Sequence, residues 1–147
     1  MNVSRRAVLK ILALAGVATG CQHTTTAQAT LPPGLTFMLE GNAVEYSAAS
    51  QGCDRIVVQG AVLLPDGARA SGIPVHITTE DGDFDETTQT QDDGLFTIVV
   101  SDALVQRVYR VQVLDPVSRE PVSDITVAES IPDCALNLMT VIFVPEA

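Results

Sequence analysis

The chain has 147 residues, room for one domain rather than two, and a formal charge of −10 at pH 7. Removing residues 1–20 takes away Arg5, Arg6 and Lys10 and leaves five arginines, no lysine and all eighteen acidic residues, a balance of −13. Such a surface repels phosphate backbones and anionic bilayers, so nucleic acid is a poor partner and any membrane attachment must come from a tether.

Residues 1–20 read as an export signal, expected as a short helix. A basic start precedes an apolar run, Ile11–Ala18, too short to cross a hydrocarbon core of about 30 Å. Ser4-Arg5-Arg6-Ala7-Val8-Leu9-Lys10 resembles the twin-arginine export motif, with Val8 where Phe is usual. Arginine pairs also occur in Sec signals, so both routes stay open. Ala18-Thr19-Gly20-Cys21 resembles a lipobox, which implies cleavage before a diacylated Cys21 and attachment to the membrane through lipid. Gln22 after the cysteine would permit outer-membrane delivery, whereas cleavage at Ala27-Gln28-Ala29 would release the chain without lipid. Residues 21–35, rich in Thr and small side chains and ending in Pro32-Pro33-Gly34, form a flexible tether.

From residue 36 to residue 147, short apolar runs alternate with turn signals. Thr36–Leu39 is a possible first strand. Ile56–Leu64 is a strong one, ended by Pro65-Asp66-Gly67. Ile73–Thr79 alternates apolar and polar residues, the two-residue period of a half-buried strand, and Glu80-Asp81-Gly82-Asp83 breaks it. Glu86–Gln91 reads as a polar strand at an edge or on a wet face, and Asp92-Asp93-Gly94 turns the chain into Leu95–Val100. Ser101–Arg107 is the one stretch suited to a short helical turn. Val108–Leu114 alternates again, Asp115–Pro121 is a loop, and Ile125–Ala128 and Leu136–Val144 complete the set. Seven or eight strands at this spacing define an all-β sandwich rather than alternating βαβ units.

Gly60-Ala61-Val62, Pro65-Asp66-Gly67, Gly72-Ile73-Pro74-Val75-His76-Ile77 and Thr90-Gln91-Asp92-Asp93-Gly94-Leu95-Phe96-Thr97-Ile98 together resemble a carboxypeptidase regulatory-like domain. The resemblance covers roughly residues 56–114 and implies a transthyretin-like or immunoglobulin-like sandwich. Gln91 stands where that family has Asp, and Ala68–Ser71 lengthens the first hairpin. Phe96 and Ile98 are expected on one face, toward the same core as Val75 and Ile77, with Gly94 supplying a positive φ.

Cys53 and Cys134 remain once Cys21 is lipidated, and two cysteines in an exported domain are expected to be bridged; two buried free thiols are the alternative. Each precedes a strand, at Ile56 and at Leu136, and neither sits in a C-x-x-C motif. Asp81, Asp83 and Asp85 alternate as calcium ligands do, and Asp92 and Asp93 could approach from the next turn, although Glu86 and Asp92 break the EF-hand pattern. A solvated acidic hairpin is the competing reading, and no other cofactor is expected. His76 and His23 lack a metal-site pattern, and no nucleophile elbow, zincin motif or phosphate loop occurs. Intradiol dioxygenases carry a related sandwich but need paired Tyr and His ligands, for which Tyr46, Tyr109 and one domain His do not suffice. The expectation is therefore a non-catalytic module of the bacterial cell envelope. It would bind a protein partner or support an envelope assembly, with the polar strand Glu86–Gln91 available for edge pairing. A calcium-stabilised ligand-binding or adhesive domain is the second expectation, and an enzyme with an unfamiliar site the third.

Overall fold

A computed structural model describes residues 29–147, so Arg5, Arg6, Cys21 and the signal lie outside the described residues. Nine strands follow among those described: Phe37–Leu39 (β1), Glu45–Ser47 (β2), Ile56–Val62 (β3), Pro74–Thr79 (β4), Asp85–Gln89 (β5), Leu95–Ser101 (β6), Val108–Val113 (β7), Thr126–Glu129 (β8) and Leu138–Pro145 (β9). They form two sheets, the sandwich expected from the turn spacing.

The first sheet is built on β3, which carries β6 antiparallel on one flank and β9 parallel on the other. The outer flank of β9 is covered by β1 and β2 in succession, from Phe37↔Pro145 to Ser47↔Leu138. Between them a 3-10 turn at Glu40–Asn42, with Gly41 and Asn42 at positive φ, breaks what would otherwise be one edge strand. The second sheet runs β5-β4-β7-β8, antiparallel throughout.

Three expectations change. There are nine strands rather than seven or eight, because β2 was too short to show a period in the sequence. Ser101–Arg107 is not helical. The buried Ser130 hydroxyl donates to the Val105 carbonyl (2.6 Å) and accepts from the Arg107 amide (2.9 Å), so this crossover meets its backbone needs without a helical turn. Finally, packing begins before residue 36: Ala29, Leu31 and Leu35 rest against the core, so the last part of the expected tether is docked.

The core is filled by inward side chains of both sheets, among them Val58, Val75, Ile77, Phe96, Val111 and Val141. Phe96 and Val75 are fully buried as the alternation required, and Ile98 packs partly against them. At the centre, Gly60 of β3 faces Phe96 of β6 across the strand pair. A Cβ at position 60 would lie 1.9 Å from the Val141 carbonyl oxygen and 2.9 Å from the Phe96 ring, so only glycine fits.

At one pole the chain is closed by the Cys53–Cys134 disulfide, with Cα atoms 4.8 Å apart just before β3 and β9. Buried Asn137 completes this pole. Its side-chain oxygen accepts from the Ala49 amide (2.9 Å), and its NH2 donates to the Gly52 and Arg55 carbonyls (2.8 Å each). At the other pole buried Thr90 accepts from the Ile73 amide (2.9 Å) and donates to the Ala70 carbonyl (2.7 Å), tying the β5–β6 turn to the β3–β4 connection.

Gly60→Ala is expected to lower stability by about 3 kcal/mol, the upper end of overpacking costs, because the clash is with backbone as well as a ring. The urea midpoint measures this; an unmoved midpoint would mean that β9 and Phe96 yield to the methyl. Thr90→Val, nearly isosteric, is expected to cost about 1–3 kcal/mol by stranding a buried amide and carbonyl, read from the same titration.

Candidate functional site: sheet edges and the acidic hairpin

The second sheet exposes a polar outer face. Pairing register places His76, Thr78, Arg110, Gln112, Thr87 and Asp85 on that side, since their neighbours Val75, Ile77, Val111 and Val113 fill the core. Asp85 reaches diagonally across from β5 to His76, with Oδ1 2.7 Å from Nε2. This pairing of nonadjacent residues could not be read before the β4–β5 register was known.

The β4–β5 turn carries the acidic run. The Thr79 hydroxyl accepts from the Phe84 amide (3.0 Å), and Asp81 Oδ1 accepts from the Asp83 amide (3.1 Å). Arg107, at the start of the neighbouring β7, stands over the turn with Nη2 3.3 Å from Asp83 and 3.7 Å from Asp81. Arg110 adds a 3.5 Å contact to Glu80. Beside them lies an open cavity of about 340 Å³, bordered by Glu80, Asp81 and Arg107.

The Asp81 carboxyl is held below its ordinary value first by the Thr79 hydroxyl, then by the Asp83 amide, with a smaller effect from the Arg107 charge. The sign follows. Its contribution to stability is present above the ordinary carboxylate pKa and is lost as pH falls through the lowered one. Full solvent exposure keeps that contribution small. Asp115 is lowered by the Ser118 and Val117 amides, which close the β7–β8 loop. Burial raises both Tyr46 and Tyr109; the Glu129 charge adds to the first.

The five aspartates weighed as calcium ligands do not meet. Asp81, Asp83 and Asp85 lie at one end of β5 and Asp92 and Asp93 at the other, separated by a five-residue strand of roughly 17 Å. Asp93 accepts from the Leu95 amide (2.9 Å) in the turn where Gly94 takes φ +77° against Arg69. Among the described residues no three His, Cys, Asp or Glu side chains are grouped to hold a metal ion. Nor do the tyrosines and histidine converge. Tyr109 is buried in the core, the Tyr46 hydroxyl donates to the Glu129 carbonyl (2.7 Å), and His76 faces outward.

The two edges of this sheet differ. On β5, Glu86 pairs with Ile77 and Thr88 with Val75, so a carboxylate stands on the core-facing side of the strand. Charges so placed obstruct the docking of a further strand. On β8, Thr126 and Ala128 turn inward while Ile125 and Val127 are 52% and 60% exposed. Sequence reasoning singled out β5 and passed over β8, whose signal was an Ile-Thr-Val run no longer than the strand itself.

No known protein family's model matches the chain, and no curated protein matches it. Among solved structures, chlorocatechol 1,2-dioxygenase from Pseudomonas putida aligns with 12% identity and a TM-score of 0.43, covering 83% of this chain and 72% of that one. Similarity that low carries no argument about chemistry. Among the described residues no helix is long and apolar enough to cross a membrane.

With its carboxylates divided between two turns and countered by Arg107 and Arg110, the domain is expected to keep its melting temperature within about one degree in millimolar calcium. A larger rise in a thermal scan would restore the acidic hairpin as a cation site.

Proposed function

We propose that this chain is an exported lipoprotein of the bacterial cell envelope. Its sandwich is a non-catalytic module that binds a protein partner or supports an envelope assembly. The observation that carries this reading is the Cys53–Cys134 bridge, because a disulfide of this kind persists in oxidising compartments outside the cytosol. It agrees with the export motif around Arg5 and Arg6 and with the lipobox ending at Cys21. A diacylated Cys21 would hold the protein at a membrane, and Gln22 suits the outer one, with the domain on its periplasmic or surface face.

The non-catalytic part is supported by how the polar groups are used. Asp81, Asp83, Asp85, Glu80 and His76 engage one another or the two arginines along an open face. Asn137, Thr90 and Ser130 satisfy loop backbone at the poles and the crossover. These arrangements fix structure. Sheet edges, by contrast, are surfaces on which proteins recognise extended segments.

The intact mass of the protein from its native envelope, with and without reductant, tests the reading. A mass for residues 21–147 plus acyl groups, rising by about two units on reduction, is expected. A lipid-free mass beginning at Thr30 would overturn the tethered module.

A further inference from the structure

The seam between β1 and β8 lies along one side of the sandwich, where β8 of the second sheet faces the β1–β2 edge of the first. It is tied at both ends. The Phe37 amide donates to the Val122 carbonyl (2.8 Å) at one end, and the Tyr46 hydroxyl to the Glu129 carbonyl (2.7 Å) at the other. Between the ties runs a groove made of two contiguous cavities, about 180 and 360 Å³, that share Asp124 and Glu146. Its walls are Met38 and Leu39 on one side and Ile125 and Val127 on the other. Met38, Ile125 and Val127 are the exposed large hydrophobics of this seam, at 39%, 52% and 60%.

Edge strands are ordinarily guarded by charges or prolines. Here β5 has its guard in Glu86, and β8 has none on its inward side. With Glu129 the one charge on β8, an edge uncharged on its inward side and flanked by Ile125 and Val127 offers an apolar surface for binding. The charges name the partner. The groove is lined by Asp124 and Glu146 and by no basic residue. Glu146 is engaged with the Thr36 hydroxyl (2.6 Å), while Asp124 shows no side-chain partner within the domain. A second copy of this chain would bring like charges to the same place, on a molecule whose balance without the signal is −13.

We propose that the β1–β8 groove binds an extended, basic segment of another protein, with aliphatic side chains seated on Met38, Ile125 and Val127 and cationic ones beside Asp124 and Glu146. This rests on the protein-binding reading above and moves its surface from β5, where sequence alone placed it, to β8.

The probe is a nine-residue peptide of alternating Lys and Val, titrated into the isotope-labelled disulfide-bonded protein, with a Glu–Val peptide as control. Amide shifts confined to residues 37–42 and 123–129 are expected, weakening as salt is raised. Val127→Asp is expected to raise the dissociation constant about tenfold or more, and Glu86→Lys on β5 to leave it unchanged. Val127 is exposed, so the variant folds; an unchanged amide spectrum away from β8 checks this.

Shifts centred on residues 85–89 would overturn the groove while keeping a protein-binding edge. Equal binding of the Glu–Val peptide would remove the charge argument and with it the proposal. Concentration-dependent dimerisation through β8 would assign the groove to a second copy instead. No shift at either edge also overturns the groove, and the mass measurement still decides the envelope reading independently.

Discussion

The sandwich depends on one close approach, the stacking of the Phe96 ring on Gly60 against the Val141 carbonyl. β3 is the strand that β6 and β9 both require, and Gly60 sits at its middle. Absence of a side chain there lets an aromatic from β6 reach across and close the core that the second sheet completes. A chain with so few aromatic residues has to place each one well; Phe37, Phe96, Phe143 and Tyr109 are all fully buried. Their burial supplies cohesion that many smaller contacts would otherwise have to provide.

Much of this was legible in the sequence, for local reasons. Pro65-Asp66-Gly67 and Asp92-Asp93-Gly94 announce turns through their own backbone preferences, and the alternation of β4 and β7 is a property of neighbouring residues. Pairing Cys53 with Cys134 followed from cell compartment and count. What stayed hidden is nonlocal. Nothing in Leu138–Pro145 says that it will lie parallel to β3 and between β3 and β1. Glu45–Ser47 is a strand only because β9 offers it a flank. Asn137, in an apolar run, looks like an interruption until its three bonds to residues 49–55 are seen. The acidic run misled for the same reason: clustering in sequence across a strand is separation in space.

Electrostatics divides the surface. The two arginines that pair with the acidic hairpin, Arg107 and Arg110, stand just before and within β7. Two of the five arginines beyond residue 20 stand over that turn, and none lines the β1–β8 groove. That asymmetry, more than the total charge, distinguishes one side of the domain from the other.

The placement of β9 also governs when the fold can form. It is the last of the described strands, yet it occupies an interior position of the first sheet and pairs with β1, β2 and β3. The β4–β5 hairpin can form from local contacts, but the first sheet lacks an interior strand until residues 138–145 join it. Phe37 and Val62 then acquire their neighbours together, and loops of about a hundred residues close at once. Closure of the first sheet therefore waits on contacts far apart in sequence, and β9 sets the order of assembly. Removing β9 would take from β1 and β2 the one strand of their sheet that they pair with and leave β3 with β6 alone.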